Sequence, residues 1–108
     1  MKLANYVAEF VAKSATGAME ARVYGVCGAG AMHLNDAIAH HDGIKFIAMH
    51  HEQAAAYAAE ADARVTNEIG FVHVTAGPGV TNAMPGIACA WADSIPMMVI
   101  AGQVESRT

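Results

Sequence analysis

The chain has 108 residues, enough for one small domain and too few for two. Hydrophobic residues make up 55% and charged residues 15%, so there are few charges to cover the large surface of a small domain, and part of that surface is expected to lie against a partner. A formal net charge of −4, with only six Lys and Arg and no basic run, excludes a nucleic-acid backbone or an anionic membrane surface as the main ligand.

In chain order, "LANYVAEFVA" (3–12) places Leu3, Tyr6, Val7, Phe10 and Val11 at helical spacing and predicts an amphipathic helix. The glycine-punctuated "SATGAMEA" is a connection, and "RVYGV" (22–26) a short buried strand that ends in the glycine cluster "GVCGAG". "AMHLNDAIAHH" predicts a second helix, stopped by Asp42-Gly43, and "IKFIAMH" the next strand. The alanine-rich "EQAAAYAAEADARVTN" predicts a helix ending near Asn67, "GFVHVTA" a third strand, and "GPG" (77–79) a tight turn. "VTNAMPGIACAWADS" predicts a fourth helix, weakened by Pro85-Gly86, and "IPMMVIAG" a fourth strand.

The order α-β-α-β-α-β-α-β, with strands that are apolar runs and not alternations, predicts an α/β fold: a parallel β-sheet with helices on both faces. Ligands of such sheets bind beyond the carboxyl ends of the strands. The glycine cluster, Glu52 and "AGPGVTN" all fall there. Cys27 and Cys89 lack C-x-x-C spacing and are expected to be reduced and buried. No window reaches the ~18 apolar residues of a membrane span, and no leader pattern opens the chain, so the expected setting is cytoplasmic.

Three constellations bear on chemistry. His50 and His51 are adjacent, which on a strand turns them to opposite sides, and the H-E-x-x-H spacing of helical zinc sites is missing because Ala55 follows Glu52 by three. No metal is expected here, and His33, His40, His41 and His73 show no ligand spacing either. Glu52 sits where a strand becomes the first turn of a helix. It reads either as a helix-terminal carboxylate favoured by the dipole or as an acid/base group in the apolar surround of Ala48, Met49 and Ala54–Ala56, where desolvation favours the protonated form. Gly25, Gly28 and Gly30 give G-x-x-G-x-G and not the dinucleotide fingerprint, and "AGPGVTN" lacks the Lys-Ser/Thr of a P-loop, which disfavours a nucleotide-binding domain. Both loops offer backbone free of side chains, which a planar ligand can approach closely.

Taken together, "VYGVCGAGAMHLNDAI", "HHEQAAAYAAEADAR" and "VHVTAGPGVTNAMPGIACAWADSIPMMVIAGQ" resemble the pyrimidine-binding domain of thiamine-diphosphate enzymes, nearest the acetolactate synthase group. The resemblance covers nearly the whole chain and implies that residues 1–108 are a thiamine-diphosphate pyrimidine-binding domain of the corresponding fold, incomplete at its C-terminus. It implies that Glu52 hydrogen-bonds N1′ of the cofactor's aminopyrimidine and so activates it. Thr75, Pro78 and Asn82 are implied to line the pyrimidine pocket, and Gly28, Ala29 and Gly30 to face the thiazolium region. Thiamine diphosphate is the implied cofactor, with Mg²⁺ held by a diphosphate-binding domain whose G-D-G motif is not in this chain. The implied partners are that domain or subunit, further copies in a dimer or tetramer, and a small 2-oxo acid as substrate for decarboxylation or carboligation. A subunit of a split decarboxylase, or a non-catalytic module that keeps the fold, are the other readings.

Overall fold

A computed structural model describes residues 2–17 and 20–106. Helix α1 (Leu3–Ser14) leads to strand β1 (Ala21–Gly25); a single 3-10 turn (Ala29–Ala31) then runs into α2 (Met32–Ala39). There follow β2 (Ile44–Ala48), α3 (Glu52–Thr66), β3 (Gly70–Val74), α4 (Pro78–Ala92) and β4 (Met97–Ala101). All the pairings are parallel and the strand order is β2-β1-β3-β4. The expected α/β fold is therefore observed, with α1 and α2 on one face and α3 and α4 on the other.

Each face has its own core. Val11, Ile38 and Ile44 pack with Val23 and Phe71 under α1 and α2, whereas Ala55, Ala56 and Ala59 pack with Val72, Val74 and Ala83 under α3 and α4. Strand β3 is buried along its whole length, which is why its sequence does not alternate. The α1 face differs from the expected one. Val11 and Ala8 are buried, but Leu3, Tyr6 and Phe10 are 78%, 62% and 48% exposed, because the face turned to the core is the one that carries Ala4, Val7, Ala8, Val11 and Ala12.

The alanine bias of α3 has a packing cause. Gly79, Ala83, Gly86 and Ala90 form the buried stripe of α4, and the small residues on both helices let the backbones come close. That contact carries α4 straight through Pro85, whose missing N–H lies on an exposed position. The "GPG" segment is not a separate turn, as the sequence suggested. Gly77 takes φ 69°, a left-handed conformation suited to glycine, and Pro78 begins α4, where its absent N–H leaves no helical bond unmade. Asn67 closes α3 in the left-handed region with φ 61°.

At the amino end of the sheet, Arg22 of β1 donates two hydrogen bonds to the Asp62 carboxylate of α3, both 2.7 Å, and Tyr24 Oη donates a third at 2.9 Å. The side chains of Arg22 and Asp62 are only 18% and 11% exposed, so this is a partly desolvated, two-pronged pair. The Arg22 guanidinium holds the Asp62 pKa below its ordinary value. A lowered carboxylate pKa adds stability above its unfolded value, near ~3.9, and that stability is lost as pH falls through the folded value. Asp62→Asn is therefore expected to lower stability at neutral pH by on the order of 2 kcal/mol. Denaturant titrations of the two proteins should begin to approach each other below about pH 4 and meet only once pH has fallen through the lowered folded value.

Candidate functional site

The strand order reverses between β1 and β3: the chain leaves β1 for β2 on one side and returns to β3 on the other. A crevice at the carboxyl ends of these two strands is where open parallel sheets bind ligands. In register, Gly25 ends β1 opposite Ala48 of β2 and His73 of β3, while Val74 of β3 meets Ala101 of β4. The loops following all four strands thus rise from one edge of the sheet.

The loop after β1 lies directly on the loop after β3. A Cβ placed on Gly28 would fall 2.5 Å from Thr75 Cβ, and one on Gly30 would fall 2.8 Å from Thr75 Oγ1. Glycine at these positions therefore admits Thr75 on the side where a Cβ would stand, while Gly30 stays exposed. Gly102, just past β4, is pressed equally closely on the Gly30 carbonyl. Ala29, between the two glycines, is exposed.

The loop after β2 bends over the end of β1, its Met49 N–H donating to Gly25 O at 2.8 Å. This delivers Glu52 to the first turn of α3, where the helix dipole favours its charge. The helix is capped by His51, whose Nδ1 accepts from the Gln53 N–H at 3.0 Å, so Glu52 itself is spared for other contacts. Asn82 of α4 donates from Nδ2 to Glu52 Oε2 at 3.2 Å. Two of the residues singled out in the sequence, 30 positions apart, are in this way joined across the α3–α4 crossing.

The apolar surround expected for Glu52 is only half built by this chain. Ala55 and Ala56 turn into the core, Ala48 and Ala54 are exposed, and the glutamate is half-buried. Pro78 and Asn82 are also exposed. The six site residues other than Glu52 fall into three groups: Asn82 joins Glu52, Gly28 and Gly30 meet Thr75, and Ala29 and Pro78 are exposed. A carboxyl group oriented by one amide, open to an incoming molecule, can exchange a proton with a basic ring nitrogen; the same pair also suits a planar ligand that presents both a donor and an acceptor.

The expected burial of the cysteines is not observed. Cys27 and Cys89 are both exposed and free, Cys27 because it lies in the loop two residues past the end of β1, and Cys89 because it lies off the buried stripe of α4. Among the described residues no three His, Cys, Asp or Glu side chains gather as a metal site, and no helix is long and apolar enough to cross a membrane. Sequence reasoning missed Asn35 and His73, which touch the glycine loop from within; their partnership spans elements and leaves no local spacing to read.

Over residues 1–108 the sequence matches the family described as thiamine pyrophosphate enzyme, N-terminal TPP binding domain. It is 46% identical over 99 residues to the acetolactate synthase large subunit of Buchnera aphidicola subsp. Schizaphis graminum, covering 92% of this chain and 17% of that protein. To the acetolactate synthase isozyme 3 large subunit of Escherichia coli it is 44% identical, with the same coverage of 92% and 17%. Against the mitochondrial acetolactate synthase of Schizosaccharomyces pombe the identity is 46% over 84 residues, 78% of this chain and 13% of that protein. The chain spans less than one-fifth of the length of these relatives.

Proposed function

Because the chain belongs to the family of N-terminal TPP-binding domains of thiamine pyrophosphate enzymes, we propose that it forms the pyrimidine-binding part of an acetolactate-synthase-like enzyme acting on 2-oxo acids, with Glu52 as the catalytic carboxyl group. The observation that carries this reading is the Asn82–Glu52 hydrogen bond, which holds one carboxyl group between the early turns of α3 and α4. The donor set fits an aminopyrimidine: Glu52 exchanges a proton with a ring nitrogen, and Asn82 keeps the carboxyl group from turning away. When bound, thiamine diphosphate supplies the electron sink for decarboxylation of a 2-oxo acid. Thr75, Pro78 and the Gly28–Gly30 loop are the further residues that would line the cofactor site.

Among the described residues no His, Cys, Asp or Glu cluster gathers to hold Mg²⁺, and a second domain or subunit is proposed to hold the diphosphate with its ion and to close the crevice. An exposed apolar face supports such a partner: Trp91 and Met84 of α4 are 87% and 50% exposed, and Tyr57 of α3 lies beside Cys89, its Oη 3.8 Å from the sulfur. A dimer or tetramer built on this face is the proposed assembly. Calorimetric titration of thiamine diphosphate with Mg²⁺ into the chain, alone and with a diphosphate-binding partner, tests the reading, together with an assay of pyruvate decarboxylation. Binding and turnover in the presence of the partner support it; tight binding of a dinucleotide in place of thiamine diphosphate would sink it.

A further inference from the structure

His73 is the one fully buried imidazole among the described residues, lying in the middle strand β3 with none of its surface exposed. Its Nδ1–H faces the Ile100 carbonyl of β4 at 3.1 Å, and its Nε2 meets Asn35 Oδ1 of α2. The Asn35 amide nitrogen in turn donates to Gly28 O at 3.0 Å, the same carbonyl that closes the 3-10 turn by accepting from the Ala31 N–H at 3.1 Å. A chain of hydrogen bonds therefore runs from β4 through β3 and α2 to the glycine loop, behind the contact of Gly28 with Thr75.

We propose that Asn35 and His73 are positioning residues that hold the β1–α2 loop against Thr75 and so fix the shape of the crevice. The orientation of the amide makes the argument. Gly28 O can only accept, so Nδ2 of Asn35 must point to it, which leaves Oδ1 toward His73 and demands a proton on Nε2. Ile100 O can also only accept, and demands a proton on Nδ1. All three bonds are satisfied together only when the imidazole carries both protons; a neutral ring gives up one of them. The Phe46 ring stands edge-on to the imidazole with its centroid 6.5 Å away, Gly25 of β1 packs on the His73 backbone carbonyl, and no charged side chain acts on His73 among the described residues. Burial lowers the His73 pKa and the Ile100 carbonyl raises it, with burial the larger effect. All three bonds are thus in place together below the folded pKa; as pH rises through it the ring gives up one of its own two, and the loop loosens where the proton lost is the one on Nε2 that Asn35 Oδ1 accepts.

The importance of the loop for cofactor binding rests on the function proposed above, but its positioning does not, and two readouts separate them. The first is amide hydrogen exchange of the whole chain, with the Ala31 and Val26 amides as reporters. Asn35→Leu, His73→Leu and Asn35→Asp, the last of which keeps an acceptor for His73 and loses the donor to Gly28, should each speed exchange at Ala31 by about tenfold, the effect of one lost hydrogen bond. Amides of α3 should not change. The Ala31 amide resonance should shift with pH in the wild type and stay fixed in Asn35→Leu. Unchanged exchange at Ala31, or acceleration spread over the whole chain, overturns the proposal, the second because it would mean the pair serves only as core packing. The second readout is thiamine diphosphate affinity with the diphosphate-binding partner present, expected to weaken about tenfold in the same variants. If the wild type binds no thiamine diphosphate while the loop amides respond, the function fails and the positioning stands. If loosened variants bind as tightly as the wild type, the loop does not shape the crevice, and that half of the proposal falls.

Discussion

Glu52→Gln should lower turnover of the assembled enzyme by between ~100-fold and ~10,000-fold, the range that one positioned acid/base group contributes. The substitution is nearly isosteric, and the new carbonyl oxygen can still accept from Asn82 Nδ2, so the side chain should keep its place across the α3–α4 crossing. What it loses is the exchangeable proton of a carboxyl group. The change in stability should be small. Removing one charge from the first turn of α3 costs about 0.3–1 kcal/mol, and His51, not Glu52, caps the helix. Thermal unfolding should therefore move by only a few degrees while turnover collapses, and this separation is what distinguishes a catalytic carboxyl group from a structural one. Full turnover in Glu52→Gln would remove the basis of the proposed function. Asn82→Leu should fall between the two, since it frees the orientation of Glu52 without removing the carboxyl group.

Gly86→Ala should have a large effect on the fold and, through it, on the site. In an exposed helix, alanine is more favourable than glycine by about 1 kcal/mol. Here a Cβ on Gly86 would land inside contact of Ala56 Cβ, 3.0 Å from the Ala56 carbonyl carbon and 3.1 Å from Tyr57 N. Two of those atoms belong to the α3 backbone, so no side-chain rotation can relieve the clash, and overpacking of this kind costs about 1–3 kcal/mol or more. The clash outweighs the propensity gain, and the expected outcome is net destabilisation with α3 and α4 pushed apart. Because Glu52 and Asn82 lie on those two helices, the same substitution should lengthen their hydrogen bond. Chemical denaturation would show the first effect, and a loss of thiamine diphosphate affinity in the protein that remains folded would show the second. A variant as stable as the wild type would mean that the close crossing is not a constraint.

The fold was readable in the sequence because each strand and helix carries its own signal. The apolar runs at Val23 and Val72 mark strands covered on both faces, and the alanines from Ala54 onward mark a helix pressed on a neighbour. The boundaries at the sheet edge were not readable to the same degree. "GPG" looks like a turn until Gly77 is seen to set up a helix that starts on Pro78, and the contact of α3 with the Gly79–Ala90 stripe overrides the breaking effect of Pro85. At the site, the "HEQ" glutamate and the "GPGVTN" asparagine were both picked out, yet their meeting depends on a helix crossing that no local pattern records. The tie between Asn35 and His73 was invisible for the same reason. Residues that meet only through the topology of the sheet leave no periodicity behind. The exposure of Cys27 and Cys89 was misjudged because cysteine is usually buried, whereas these two fall in the loop past a strand's end and off a helix's packed stripe.

The strand order β2-β1-β3-β4 has one more consequence, for handling the chain and not for its chemistry. β4 is an edge strand, and from Ile95 to Gly102 it carries no charge and only one proline, at Pro96, before the pairing begins. Natural sheets protect their edges with charges, bulges or prolines within the strand. β2, at the opposite edge, has Lys45 exposed at its second residue; β4 has no such guard. A chain prepared by itself should therefore self-associate through β4 as its concentration rises, and a lysine at the exposed Ala101 should keep it in solution.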